Sequence, residues 1–247
     1  MAEIPKELTL DGSVSYWNVD RENLISLRSL FAFLQEAAIR HADLCGSGAH
    51  AKATRGESWV LHRMAVTVHR YPRYEEALRV TTWSSGIRAF KGYRDFRVHC
   101  GGELIVSASS VWLYFNIAAK AICRVPKEIA TGFPTHSEGV FSPELEKLRL
   151  EPPEDRSLDR NVSVRYSDFD GNEHVNNTAY FDYLQTALAA GGFPPRPGAI
   201  QIQFLKEIAP SVEQVKVALE RRGEAVAFGL GCPAGLFAHG LVSWQSR

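Results

Sequence analysis

No stretch of this 247-residue chain approaches the roughly 20 consecutive apolar residues that a helix needs to cross a bilayer, which argues against a helical membrane span. The segment Met1 to Asp11 has no apolar core and carries Glu3, Glu7 and Asp11, so it resembles neither a secretory signal nor an Arg-rich transit peptide. Net charge is missing too. Lys plus Arg (28) balance Asp plus Glu (28), and no long-range field gathers nucleic acid or an anionic membrane surface. Cysteines are few, and Cys45, Cys100, Cys123 and Cys232 form no CxxC pair, so neither a zinc site nor a redox motif is indicated. In a chain of this size without a secretion signal they are expected to be free thiols. The expectation is a soluble, cytoplasmic protein that uses no metal and no cofactor. What is present is 45% hydrophobic residues, enough for packed cores in one large domain or two of ordinary size.

The chain repeats itself. Sliding it by 150 residues lays Val14 to Ala37 on Val164 to Ala187, with identities at Val14/Val164, Tyr16/Tyr166, Asp20/Asp170, Phe31/Phe181, Leu34/Leu184, Gln35/Gln185 and Ala37/Ala187. Average residue usage predicts roughly one or two matches over such a window. Each copy reads as a short strand (Ser13 to Trp17; Ser163 to Tyr166), a polar turn containing Asp, and a helix with one wide apolar face. Leu27, Leu30, Phe31, Leu34, Ala38, His41 and Cys45 recur at helical spacing before Gly46, as do Tyr180, Phe181, Leu184, Ala187 and Leu188 before Gly191.

A covering for those apolar faces follows each helix. After the first come the β-rich runs Trp59 to Arg70, Ala77 to Ser84, Lys91 to Cys100 and Glu103 to Asn116; after the second come Ala199 to Ile208, Gln214 to Arg221, Ala225 to Gly231 and Gly235 to Trp244. Strand, helix and antiparallel meander, twice over, predict an α+β chain of two hotdog units, each a sheet wrapped around a long central helix. The expected divisions are an N-terminal hotdog over 1–133, a Pro-rich linker over 134–160 with a short helix at Pro143 to Leu148, and a C-terminal hotdog over 161–247.

Positions where one copy alone gains polar chemistry are informative. The second reads Asp170-Gly171-Asn172-Glu173-His174-Val175-Asn176-Asn177, where the first has Asp20-Arg21-Glu22-Asn23-Leu24-Ile25-Ser26-Leu27. Asn176 or Asn177 suits the N-cap of the following helix. The backbone NH groups of Val175, Asn176 and Asn177, up to Thr178, are then candidates to receive a carbonyl oxygen that becomes negative during acyl transfer. His174 is a candidate base, Asp170 a group to orient it, and Glu207, near the end of Ala199 to Ile208, a further acid. The plainer alternative stays open here: a turn, a helix cap, a core histidine and a solvated carboxylate.

The run Asp170-x-Asn172-x-His174-Val175-Asn176-Asn177-x-x-Tyr180 resembles the signature of the acyl-ACP thioesterases, and Leu34-Gln35-Glu36-Ala37-Ala38, His41, Tyr71-Pro72 and Thr82-Trp83 are similar as well. The resemblance implies a double hotdog with Asp170, Asn172, His174 and Glu207 as the catalytic set in the second half. It also implies that the fatty chain lies largely against the first half. The residue after the family's acid is often cysteine; here it is Ile208, which excludes a cysteine nucleophile at that position. The implied reaction is hydrolysis of a fatty acyl thioester by water activated at Glu207, or by direct attack of Glu207.

The implied partner is acyl carrier protein with its phosphopantetheine-linked acyl chain. Arg88, Lys91 and Arg94 are candidates for docking it, against the alternative that they are ordinary solvated strand residues. Phe31, Trp59, Phe90 and Trp112 are candidates for lining an acyl channel, although aromatics in such elements are more often core. Hotdog sheets often pair, which leaves a homodimer open. Rival readings are an acyl-CoA thioesterase, a hotdog enoyl-thioester hydratase and a non-catalytic acyl-binding module.

Overall fold

The computed structural model describes residues 4–48, 55–136, 145–154 and 158–244. Met1 to Glu3, and Pro143 and Glu144 of the expected short helix, lie outside these residues. The first half comprises β1 (Glu7–Ser13), α1 (Leu27–Leu44), β2 (Glu57–Val68), β3 (Ala77–Arg88), β4 (Lys91–Cys100), β5 (Glu103–Asn116), β6 (Ala121–Ile122) and α2 (Lys127–Gly132). The second comprises β7 (Arg160–Ser163), α3 (Asn177–Ala190), β8 (Ala199–Phe204), β9 (Gln214–Arg222), β10 (Ala225–Cys232) and β11 (Gly235–Ser243).

These strands join in one 11-stranded sheet of order β1-β3-β4-β5-β2-β8-β11-β10-β9-β7, with β6 on β5. The order reads the same from either edge, and the halves meet where β2 and β8 pair antiparallel, from Arg63 opposite Gln203 to Thr67 opposite Ala199. The fold is α+β, a tandem double hotdog. Gly101 and Gly102, at φ of 57° and 85°, close the β4–β5 hairpin in the left-handed conformation that a two-residue turn requires.

The 150-residue repeat extends to individual backbone hydrogen bonds. The Asp20 NH donates to the Leu24 carbonyl (2.9 Å), as Asp170 does to His174 (3.0 Å). The Glu22 NH donates to Asp20 Oδ1 (2.9 Å), as Asn172 does to Asp170 (2.8 Å). Asn23 and Glu173 are both left-handed, at φ of 58° and 62°. Isolated bridges Val19–Ile25 and Phe169–Val175 clasp the two loops. The strands expected over Ser13 to Trp17 and Ser163 to Tyr166 instead stop at Ser13 and Ser163, and short 3₁₀ turns follow at Tyr16–Asn18 and Tyr166–Asp168. The reason is local: the Asn18 and Asp168 side chains accept the NH groups of Ser15 and Arg165 (both 2.9 Å) and draw the chain out of the ladder.

Helices α1 and α3 lie against the sheet and against each other, in a core shared by both halves that includes Leu30, Leu34, Phe96, Leu184, Leu188 and Phe228. Phe31 stacks on its repeat partner Phe181 with 12° between ring planes, and the Leu27 NH donates to Gln185 Oε1 (2.9 Å). The two helices therefore run antiparallel. Of the Pro-rich connection, 145–154 lies along the outside of the sheet. Arg63 Nη1 donates to the carbonyls of Leu145 (3.1 Å) and Leu148 (2.8 Å), and Arg222 Nη2 donates to that of Pro152 (3.0 Å). Leu145 is buried against Ala65, Tyr93 and Val111, and the chain turns at once after it, so a helix reaching Leu148 does not form.

Candidate active site

Each side of the site is held by its own local chemistry. Asp170 opens a tight loop, its Oδ1 accepting the Asn172 NH and its Oδ2 accepting from the Asn176 side chain (3.1 Å). Asn176 is the N-cap of α3: its Oδ1 accepts the Thr178 NH (2.9 Å) and the Thr178 hydroxyl (2.8 Å). Asp170, Asn176 and Thr178 thus form a continuous relay that sets the loop against the helix. Asp170 holds the turn, and neither of these carboxylate contacts is to the His174 ring.

The opposite wall is the tail of β8. The NH groups of Leu205 and Lys206 both donate to the Phe237 carbonyl (2.8 and 3.1 Å), which ends the regular ladder at Phe204. Glu207 therefore stands just past the strand, not within the expected run to Ile208. Two bonds stitch this tail to the loop: the Val175 NH donates to the Ile208 carbonyl (3.0 Å), and the Tyr180 hydroxyl donates to the Lys206 carbonyl (3.2 Å). Burial foremost, with a smaller contribution from the Glu207 charge, raises the Tyr180 pKa well above the usual tyrosine range, which keeps this donor protonated.

Between those two bonds, His174 Nε2 and Glu207 Oε1 stand 3.1 Å apart. Their side chains are 38% and 63% exposed, so solvent reaches both. The pair lies at the amino end of α3. A carboxylate in hydrogen-bond reach of an imidazole, open to water and next to a helix N-terminus, can take a proton from water while a nearby NH receives an oxyanion.

The structure corrects several sequence expectations. The Val175 NH is taken by Ile208 and the Asn176 NH by the Asp168 carbonyl (2.8 Å), so neither is an oxyanion donor; among the described residues the Asn177 NH has no protein acceptor. Arg94 is not a docking residue: it is buried, with Nη1 against His41 Nδ1 (2.9 Å) and Thr82 Oγ1 (3.1 Å). Lys91 pairs with Glu146 (3.2 Å), while Arg88 is exposed and sits over the Tyr93 ring. Phe31 is helix–helix core through its stack on Phe181, and Phe90 faces solvent in the β3–β4 turn, so neither lines a channel. Trp59 packs edge-on to Tyr114 in a satellite core with Val125, Ile129 and Phe133, and Trp112 is half-buried with Nε1 on Ser110 Oγ (2.8 Å). Asn172 is exposed at the loop tip.

The equivalent place in the first half is closed. Leu24 replaces His174. The Ile25 NH donates to Pro72 as Val175 does to Ile208, which puts Tyr71 in the place of Glu207, and its hydroxyl donates to the Pro197 carbonyl (2.7 Å). Arg196, from the Pro-rich connector after α3, fills the remaining space with ion pairs to Asp20 and Glu22. The repeat alone did not reveal this plug, because its parts come from opposite halves.

Family comparison agrees with this architecture. Sequence models of the acyl-ACP thioesterase N-terminal and C-terminal domains match residues 10–133 and 151–228. The chain belongs to the acyl-ACP thioesterase family. Among curated relatives of this acyl-ACP thioesterase family member, palmitoyl-acyl carrier protein thioesterase of Gossypium hirsutum is 29% identical over 184 residues, which is 70% of this chain and 45% of that protein. Dodecanoyl-[acyl-carrier-protein] hydrolase of Cinnamomum camphora is 27% identical over 70% of this chain and 48% of its own length. The chain thus spans about half the length of these two relatives. Two solved structures share the fold across both chains. The 12:0-ACP thioesterase from Umbellularia californica has a TM-score of 0.82 at 18% identity over 98% of each chain. An acyl-ACP thioesterase from Bacteroides thetaiotaomicron also reaches 0.82, at 20% identity over 99% of this chain and 100% of that one.

Proposed function

We propose that this protein hydrolyses fatty acyl thioesters carried on the phosphopantetheine arm of an acyl carrier protein. The observation that carries this reading is the 3.1 Å approach of His174 Nε2 to Glu207 Oε1 at the amino end of α3. In the proposed reaction Glu207, oriented by His174, takes a proton from water as the water oxygen bonds to the carbonyl carbon. The C=O electron pair moves onto oxygen beside the Asn177 NH. Collapse of that intermediate expels the thiolate, which takes up the proton, leaving a fatty acid and a free thiol. Asp170 acts through the loop, and Asn172 at the tip positions the incoming arm.

The division of labour follows the halves: residues 161–247 carry the chemistry, 1–133 hold the acyl chain and 134–160 connect them. Arg88 and Lys91, in the β3–β4 hairpin, receive the acidic carrier. The strand register supports this, because Lys91 opposite Leu113, Leu61 opposite Trp112 and Arg63 opposite Gln203 set that hairpin at the same end of the sheet as the β8 tail. The four cysteines are unpaired, which supports a reducing compartment such as the cytoplasm.

The test is thiol release from a panel of acyl chains, each offered on carrier protein and on coenzyme A. Turnover on the carrier, lost about 100-fold or more in Glu207→Gln, is expected. Preference for coenzyme A would reassign the partner, and wild-type activity in Glu207→Gln would remove the acid from the mechanism.

A further inference from the structure

The contacts between α1 and α3 are spaced one turn apart. Leu27 meets Gln185 through its NH, and Phe31 stacks on Phe181. One turn onward along α1 stands Gln35, and one turn back along α3 stands Asn177. Gln35 and Gln185 correspond in the repeat, as do Leu27 and Asn177. Both poles of the helix pair are therefore offered the same contact, a glutamine carboxamide against the first NH of the opposing helix.

At the first pole the contact is made and buried, with Gln185 only 9% exposed. At the second it is not made. Among the described residues neither the Gln35 side chain nor the Asn177 NH has a partner, and Gln35 is half-buried. The difference tracks the chemistry: the closed pole carries Leu24 and Tyr71, while the open pole carries His174 and Glu207.

We propose that Gln35, supplied by the first half, is a catalytic residue of the second-half site. A thioester carbonyl oxygen entering between Gln35 and Asn177 takes the place that Gln185 Oε1 holds at the other pole. Gln35 turns its carboxamide NH₂ toward that oxygen, and two donors converge on the developing oxyanion. A carboxamide already bonded to the helix would leave no room for the oxygen. This inference rests on the hydrolase reading above and adds to it that the site is built by both halves.

The experiment is steady-state thiol release from acyl carrier protein by the wild type, Gln35→Met and Gln35→Glu, with Gln185→Ala as control. Loss of one oxyanion donor with the other retained predicts a kcat about 10- to 100-fold lower in Gln35→Met, with KM within about 3-fold. Gln35→Glu sets a negative charge on the oxyanion, so its kcat relative to wild type is lowest at high pH and recovers as the carboxylate takes up a proton. Gln185→Ala loses thermal stability but keeps kcat within about 3-fold, because its contact lies at the closed pole. A Gln35→Met enzyme that melts like wild type and keeps kcat within 3-fold overturns the role of Gln35 while leaving the hydrolase reading intact. A Gln35→Met loss confined to melting temperature, together with a flat pH ratio in Gln35→Glu, overturns it equally. A wild type that releases no thiol from any substrate sinks the hydrolase reading, and this inference with it.

Discussion

The relay from Asp170 through Asn176 to Thr178 makes a prediction that separates the architectural role of Asp170 from an electrostatic one. Asp170 Oδ2 accepts from Asn176 Nδ2 at 3.1 Å, and Asn176 Oδ1 is thereby aimed at the Thr178 NH. In Asp170→Asn, two NH₂ groups face each other unless one amide turns over, and turning Asn176 removes the cap of α3. The charge-assisted bond contributes about 1.5 kcal/mol and the cap about 1 kcal/mol, so the single variant loses about 1–2.5 kcal/mol of stability. In Asn176→Asp, two carboxylates meet at the same separation; at an effective dielectric of about 20–40 the repulsion is roughly 3–5 kcal/mol, reduced if the pair shares a proton. The double exchange, Asp170→Asn with Asn176→Asp, restores donor to acceptor in the reverse sense. It also keeps an oxygen for the Asn172 NH and puts a good N-cap residue against Thr178. Urea unfolding of all four proteins should give a coupling energy above about 2 kcal/mol, and thiol release should recover in the double variant to within about tenfold of wild type. Effects that add to within about 0.5 kcal/mol would refute the relay. Recovered stability without recovered turnover would show that the position of the negative charge, not the loop, is what the chemistry needs.

Three other expectations concern stability. Burial, with the charge of Arg94 adding to it, lowers His41 from 6.5 to about 4. The unfolded chain therefore binds more protons between those values, and stability falls by roughly 2–3 kcal/mol as pH drops from 7 to 4.5; in His41→Gln the urea midpoint should be flatter over that window, and an unchanged slope would clear His41 of the effect. Asp168 is fully buried, and although burial raises its pKa, bonds from the Arg165 backbone, Tyr183, Arg165 and Arg28 outweigh it and hold it below the usual value. Asp168→Ala should cost about 3 kcal/mol by thermal or chemical unfolding at pH 7, a contribution present above pH about 4 and lost as pH falls through the lowered folded pKa. Glu173 is left-handed at φ 62°, where its repeat partner is Asn23, so Glu173→Asn should raise stability by up to about 1 kcal/mol; a fall would mean that the Glu173 side chain makes a compensating contact.

What could be read from the sequence was what repeats or alternates. The offset that paired Phe31 with Phe181 and Gln35 with Gln185 anticipated two units, each a sheet around a central helix, and β4 and β5 have the expected limits because glycines and alternation mark both ends. His174 stood out as polar chemistry gained by one copy alone, Glu207 was a weaker candidate that the resemblance strengthened, and folding brings them to 3.1 Å. The failures share a cause. Val175 and Asn176 were expected to offer NH groups, but the acceptors that consume them, the carbonyls of Ile208 and Asp168, are tertiary or lie across the loop. Arg94 alternates like a surface residue, yet it faces inward because His41 and Thr82 supply acceptors there. Backbone carbonyls and inward-facing polar partners leave no periodic trace in a sequence, so the occupancy of a donor was the hardest property to anticipate.

The same consideration explains why a duplicated fold keeps one open pole. Both loops close with the same bonds, and both helices begin at equivalent residues, so the backbone frame does not distinguish them. The distinction lies in what fills the frame. At the first pole Tyr71, Arg196 and Gln185 each satisfy a polar group that would otherwise be left open, which makes that pole a stable joint between the halves. At the second, the Asn177 NH and the Gln35 carboxamide have no protein partner among the described residues, a cost of about 1 kcal/mol or less where water reaches them. Placing the second pole's side chains at the first, as in Leu24→His with Glu22→Asn, would therefore not create a second site. Arg196 would still hold Asp20, and Tyr71 offers a protonated hydroxyl where a base is needed. Thiol release per chain should be unchanged in that double variant, and a clear rise would show that the first pole had gained activity.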